Sequence, residues 1–108
     1  MNLPTEIFGD TIVVHTPEEL GADQVDGFQS FIDGLERVFV VIDFDGTENI
    51  DSKGLTALLD AQEKLRALGG DVKLATTNPS NRKILEITRL DQSLEVFEGV
   101  VDAVKSYR

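Results

Sequence analysis

Two aspartates and a serine near the middle of the chain are the residues best suited to chemistry. Asp43 and Asp45 follow the apolar run 38–42, and Ser52 precedes a leucine-rich stretch. Paired carboxylates at the end of a buried strand can supply a nucleophile, a general acid or base, or ligands for Mg²⁺. A serine at the start of a helix can instead carry a phosphate. The segment 43–55 therefore admits two kinds of chemistry.

Ser52 lies where a helix is expected to begin. Asp51 or Ser52 is a natural N-cap, which places the serine hydroxyl beside unpaired backbone N–H groups. The helix dipole favours a phosphate there, and phosphorylation adds about 1.5 to 2 negative charges. Its acidic neighbours in the sequence are Asp43, Asp45, Glu48 and Asp51. The simpler alternative is that Ser52 only caps the helix, while Gly54 and Leu55 only pack.

The elements that position this segment are a strand before it and a helix after it. Residues 38–42 are uninterrupted and mostly β-branched, which predicts a central strand covered on both faces. Apolar residues at helical spacing predict a helix from Leu55 to Leu68, closed by the glycines at 69–70. The buried face of this helix is expected to include Leu58 and Leu59.

The rest of the chain continues the alternation of strands and helices. We expect a hairpin around Gly9–Asp10, with further strands at 72–75 and 94–97. Helices are expected within 22–35, from Pro79 and over 99–107, and Thr16 could cap a further helix or only begin a turn. The helix from Pro79 is expected to bury Ile84, Leu85 and Ile87, and the last helix is expected to carry the apolar residues Val100, Val101 and Val104.

The predicted fold is one α/β domain over residues 1–108, in the order β-β-α-β-α-β-α-β-α. Strands that alternate with helices imply a mostly parallel sheet with right-handed crossovers. The initial hairpin adds one antiparallel edge strand.

Composition and charge exclude several functions. The chain has no cysteine and one histidine, His15, so a cysteine or histidine metal site is not expected, and His15 should lie in a strand near the sheet surface. The net charge is −10; residues 1–51 hold 12 acidic and 1 basic side chains, and residues 52–108 hold 8 and 9. This argues against nucleic acid and membrane binding and favours a basic protein partner. Without a signal peptide or apolar span, the protein is expected to be cytoplasmic.

The stretch Ile50–Leu55, with sequence Ile-Asp-Ser-Lys-Gly-Leu, resembles the STAS family of bacterial anti-sigma-factor antagonists. That family's pattern runs from an apolar strand through Asp to Ile-Asp-Ser-Ser-Gly-Leu and into a helix. The resemblance continues through 66–74, through 78–91 and to Phe97. The first 35 residues match only in the order of elements.

The resemblance implies a partner switch centred on Ser52. An anti-sigma factor that is itself a serine kinase would bind the unphosphorylated protein, phosphorylate Ser52 and then be released. A serine phosphatase would reset the cycle. The residues expected to contact the partner are Glu48, Asp51, Ser52, Lys53 and Gly54.

Two positions depart from the family pattern. Lys53 replaces the usual second serine, which leaves open a change in kinase recognition. Arg89 replaces a glycine after Thr88, and a positive φ at a non-glycine residue costs about 1–2 kcal/mol, so we expect that turn to be built differently. The alternative within the family is an accessory subunit of a lipid-transport ATPase, or part of a signalling assembly, without a phosphoswitch.

A second resemblance concerns Val40–Thr47, which looks like the first motif of haloacid-dehalogenase phosphatases. It implies Asp43 as the nucleophile, Asp45 as the general acid or base, and Mg²⁺ between them. Only 61 residues follow Thr47, too few for the rest of that fold, and the expected downstream metal-binding aspartates are missing. We therefore expect no catalytic residues, no metal, no cofactor and no enzymatic activity.

Overall fold

A five-stranded sheet forms the centre of the computed structural model, which describes all 108 residues. Along the chain, the strands are β1 (Thr5–Phe8), β2 (Thr11–His15), β3 (Glu19–Leu20), β4 (Phe39–Asp43), β5 (Asn49–Ile50), β6 (Asp71–Ala75) and β7 (Val96–Phe97). The main sheet has the order β1-β2-β4-β6-β7, with β1 antiparallel to β2 and the other pairs parallel. This confirms the predicted α/β class, the mostly parallel sheet and the antiparallel edge.

Four helices cover the two faces of the sheet unequally. They are α1 (Val25–Asp33), α2 (Ser52–Ala67), α3 (Pro79–Ile87) and α4 (Val100–Lys105). Helices α1, α2 and α3 share a core of 18 buried residues with one face, whereas α4 closes a core of 5 buried residues on the other. None of the helices is long and apolar enough to cross a membrane.

Strand β4 is the central strand, as its apolar sequence predicts. Val40 and Ile42 enter the larger core, while Val41 enters the smaller core under α4. Successive side chains of a strand point to opposite faces, so a strand with cores on both faces has to be apolar throughout. The segment 43–55 begins at the carboxyl end of β4.

One local expectation was wrong, and one alternative that the sequence left open is decided by the structure. Residues 16–18 form no helix; they lead into β3, which pairs with β5 in a small parallel sheet that the sequence did not predict. Ile87 is 70% exposed, although it was expected to be buried, and Val101 in the last helix is 61% exposed. They lie on the outer sides of short helices, whose inner sides are already formed by Leu85 and Val104.

The turn at Arg89 also differs from the expectation. Arg89 has φ 62° and ψ 20°, which is the left-handed conformation that a glycine would adopt there. Its N–H donates to the carbonyl of Glu86, and its own carbonyl accepts from the N–H of Gln92. The helix end is therefore built with glycine-like backbone geometry despite the arginine.

The buried face of α2 gives a direct test of this packing. Leu58 is fully buried, whereas Leu68 at the end of the same helix is 69% exposed. Leu58→Ala should lower the free energy of unfolding by about 2–5 kcal/mol because it leaves a cavity. Leu68→Ala should change it by less than about 0.5 kcal/mol. Urea unfolding measures both, and equal small losses would contradict the assigned core face.

Candidate functional site

Buried polar side chains hold the loop between β4 and α2 in place. Thr47 is fully buried, and its hydroxyl donates to the carbonyl of Pro17 at 2.6 Å. The buried side-chain amide of Asn81, in α3, donates to the carbonyls of Phe44 at 2.8 Å and Thr47 at 2.9 Å. Buried polar groups that are all paired fix a backbone firmly. The loop is therefore a rigid support for the residues that follow it.

Asp43 and Asp45 bind different parts of the protein. Asp43 accepts from His15 Nδ1 at 2.8 Å and from the N–H of Asp45 at 3.0 Å. Asp45 accepts from the Thr76 hydroxyl at 2.8 Å, and from the N–H and hydroxyl of Thr77 at 2.6 and 3.0 Å. Partial burial raises the pKa of Asp45, but these hydrogen bonds outweigh it and the pKa is lowered. Both carboxylates join loops to the sheet, rather than facing each other across a shared metal site.

Ser52 is the first residue of α2, and Asp51 is its N-cap. Asp51 Oδ1 accepts from the N–H of Gly54 at 2.9 Å, while Oδ2 accepts from the N–H of Ala22 at 3.0 Å. These two hydrogen bonds lower the pKa of Asp51, so the group is ionised. The sequence left the cap open between Asp51 and Ser52, and the structure assigns it to Asp51. The Ser52 hydroxyl is exposed and forms no hydrogen bond within the chain.

Gly54 differs from the other four predicted contact residues because it is buried. A Cβ at this position would overlap the backbone carbonyl of Leu20 in β3. Only glycine lets the first turn of α2 approach that strand so closely. Gly54 therefore holds α2 in place, whereas Glu48, Asp51, Ser52 and Lys53 are exposed.

Two depressions adjoin the start of α2, one lined by Asp51 and the other by Ser52. One is an acidic cleft of about 380 Å³ whose lining includes Glu19, Asp23 and Asp51. The other is an open groove of about 340 Å³ between α1 and α2, lined by Val25, Ser52, Lys53, Thr56 and Asp60. Lys53 is exposed and forms no ion pair within the chain.

Residues 19–25 contribute to this site, and the sequence did not predict their contribution. Glu19, Asp23 and Val25 lie about thirty positions before Ser52, and no local motif marks them. The one available signal was the concentration of acidic residues in the first half of the chain. The fold brings these residues to Ser52 because β3 pairs with β5 directly before α2.

The assignment of the cap can be tested by stability measurements. Asp51→Ala should lower the melting temperature by several degrees, because the Gly54 and Ala22 N–H groups lose their acceptor. Asp51→Asn should retain most of the stability, since asparagine caps about as well as aspartate. Ser52→Ala should have no measurable effect because its hydroxyl bonds nothing. A loss at Ser52→Ala as large as that at Asp51→Ala would contradict the assignment.

His15 makes stability depend on pH. When His15 is protonated, both of its nitrogens donate, Nδ1 to Asp43 at 2.8 Å and Nε2 to Glu6 at 2.7 Å. Partial burial lowers the pKa of His15, but the hydrogen bonds and charges of the two carboxylates outweigh it and raise the pKa above 6.5. The ion pairs therefore stabilise the fold fully below pH 6.5 and are lost as pH rises through the raised value.

Comparison with His15→Gln isolates this effect. The stability advantage of the wild type over the variant should be largest in mildly acid solution and should shrink as pH increases. Urea unfolding of both proteins from about pH 5 to about pH 9 measures it. A difference that stays constant over this range would show that the charge on His15 contributes nothing.

Comparison with known proteins supports the same architecture. A curated relative from Thermotoga maritima, provisionally assigned as an anti-sigma factor antagonist, is 22% identical over 97% of this chain and 96% of its own. The crystal structure of an anti-sigma factor antagonist from Mycobacterium paratuberculosis has a TM-score of 0.84 at 22% identity, covering 97% of this chain and 92% of that one. The Bacillus cell fate determinant SpoIIAA, in its phosphorylated form, has a TM-score of 0.72 at 20% identity, covering 99% of this chain and all of that one. The sequence model of the STAS domain matches residues 2–103, and the chain therefore belongs to the STAS domain family.

Proposed function

We propose that this protein is an anti-sigma-factor antagonist whose binding to an anti-sigma serine kinase is controlled by phosphorylation of Ser52. The observation that carries the proposal is the position of the Ser52 hydroxyl. It is exposed, has no hydrogen-bond partner, and lies in the first turn of a capped helix, where Ser52 lines one groove and directly follows Asp51 of the acidic cleft. A kinase can reach such a group without unfolding any part of the chain.

The relatives support the direction of this proposal. The Thermotoga and Mycobacterium proteins are described as anti-sigma factor antagonists, and SpoIIAA has a structure in the phosphorylated form. Because the identities are near 20%, these proteins only suggest the function. The physical argument for it comes from the surface around Ser52.

The charge around Ser52 explains how a phosphate would act. Glu19, Asp23 and Asp51 line the cleft on one side, so the unmodified surface is already negative and fits a basic partner. A phosphate on Ser52 adds about 1.5 to 2 negative charges and three acceptor oxygens in the middle of the contact area. A partner surface shaped for a neutral hydroxyl would have to desolvate that charge. A cost of about 2.7 kcal/mol reduces affinity a hundredfold.

Lys53 modifies this effect without removing it. It is the one cation lining the groove that contains Ser52. An ammonium group beside a phosphate would offset part of the added charge, so the switch should be weaker here than with serine at position 53. Lys53→Ser tests this contribution and should increase the difference in affinity between the two phosphorylation states.

The proposal includes no catalytic activity of the chain itself. Asp43 and Asp45, which resemble a phosphatase motif, are hydrogen-bonded to His15 and to Thr76 and Thr77, respectively. These contacts give both carboxylates a structural function. The kinase, and the serine phosphatase that reverses its action, would be separate proteins.

Substitutions of Ser52 test the switch. Ser52→Ala should bind the anti-sigma kinase with wild-type affinity and should no longer be phosphorylated, because it removes the hydroxyl without adding charge. Ser52→Asp should bind more weakly, and the phosphorylated wild type more weakly still. The matched control is Ser80→Asp, which adds the same charge to an exposed serine in the first turn of α3 and should leave affinity unchanged.

The measurement is calorimetric titration of each protein against the cognate kinase at two salt concentrations. The weakening caused by phosphate should be smaller at higher salt, because exposed charges are screened. Equal affinities of the phosphorylated and unphosphorylated forms would refute the switch. The alternative of an accessory subunit in a transport or signalling assembly would then be favoured.

A further inference from the structure

The outer edge of the sheet is open at β1. Its inner side pairs with β2, and no strand pairs with its outer side. All four of its residues are exposed, including Ile7 at 56% and Phe8 at 43%. An exposed strand edge has unpaired N–H and C=O groups that can bind another extended segment.

An apolar groove adjoins this edge. Phe8 pairs with Thr11 in the hairpin, and Val13, two residues further along β2, lies under α4, so Phe8 is on the α4 face of the sheet. Together with α4 it lines a groove of about 100 Å³, whose other residues are Val100, Val101, Val104, Lys105 and Arg108. Two of the chain's six exposed large apolar side chains, Phe8 and Val101, thus lie in one place. Contiguous apolar surface of this kind marks interaction sites more often than scattered residues do.

The rim of the groove is basic in a chain of net charge −10. Lys105 follows Val101 by four positions and so lies on the same side of α4, and Arg108, beyond the end of the helix, lines the same groove. Neither cation forms an ion pair, whereas Lys64, Arg66 and Lys73 elsewhere in the chain do. Asp10 lines the adjoining cavity with Arg108 but is not paired with it. The groove is therefore complementary to an apolar side chain with carboxylates beside it.

We propose that β1 and this groove form a second interaction surface, which binds an extended acidic segment of a protein partner. The segment adds a strand to the outer edge of β1, in the manner of other edge-binding peptides. One of its apolar side chains enters the groove between Phe8 and Val101, and its carboxylates meet Lys105 and Arg108. A second copy of this chain fits less well, because symmetric contact would bring the same cations face to face.

This surface is separate from the one around Ser52. The Phe8–Thr11 end of the hairpin lies beside Phe39, at the amino end of β4, whereas Ser52 follows the carboxyl end of the same strand. The two surfaces can therefore be occupied at the same time. The inference does not depend on phosphorylation.

A random-peptide phage library, panned on the purified protein and depleted on the Val101→Glu variant, tests the proposal. Enriched peptides should contain an apolar residue flanked by Asp or Glu. In fluorescence anisotropy, Val101→Glu should weaken their binding at least about tenfold, and the double variant Lys105→Gln/Arg108→Gln should weaken it and reduce its salt dependence. Ile87→Glu, which adds the same charge at an equally exposed apolar residue of α3, should leave binding unchanged.

Three further measurements complete the test. Bound peptide should slow hydrogen exchange in β1 and not in α2, and circular dichroism should show that every variant is folded. The proposal is wrong if no peptide prefers the wild type over Val101→Glu, or if the enriched peptides lack acidic residues. It is also wrong if sedimentation equilibrium finds a dimer of the wild type that Val101→Glu abolishes, because the occupant would then be a second copy.

Discussion

The carboxylate of Asp51 joins two parts of the chain on which the geometry of the candidate site depends. One oxygen caps α2 through Gly54, and the other accepts from Ala22, 29 residues earlier. The missing side chain of Gly54 lets Leu20 of β3 lie against the same helix turn. Because both contacts occur within one turn, the start of α2, the short β3–β5 sheet and the acidic cleft have fixed relative positions. Ser52 is exposed at the point where they meet.

The second constraint comes from the burial of β4 on both faces. Such a strand places its functional residues at its ends, since its own side chains are committed to two cores. At the carboxyl end of β4, Asp43 binds the neighbouring strand β2, and Asp45 binds the loop after β6. Asn81 holds the loop that follows β4 through the carbonyl of Phe44. The two aspartates that resemble a catalytic motif therefore have a structural explanation: they hold the backbone at the end of β4. The same residue types serve either purpose, and their hydrogen-bond partners decide between the two interpretations.

The features that the sequence predicted correctly depend on local patterns, and those it missed depend on contacts between distant residues. The apolar run at 38–42 and the helical spacing from Leu55 identify β4 and α2 because each pattern is complete within one segment. The pairing of β3 with β5 involves two residues on each side, about thirty positions apart, and leaves no periodic signal. The acidic cleft follows from that pairing and was missed with it. Ile87 was assigned to the core because a short helix has too few residues to distinguish its inner side from its flanks. Arg89 adopts the left-handed conformation that glycine usually occupies. The surrounding turn therefore fixes the backbone conformation at this position, and the steric preference for glycine does not prevent an arginine there.

The position of Ser52 also bears on how a phosphate would act under the proposed function. A phosphate that disrupted the fold would have to break a hydrogen bond or enter a packed region, and the Ser52 hydroxyl does neither. The helix dipole favours negative charge at this end of α2, so the modified chain should keep its structure. The charge would then act only when a partner binds, because binding would remove water from the phosphate and this desolvation costs free energy. Under the proposed function, the switch would therefore act in the interface with the partner rather than through a conformational change. A rigid, well-capped helix start is therefore compatible with regulation, because the fold needs to hold the serine in place in both states.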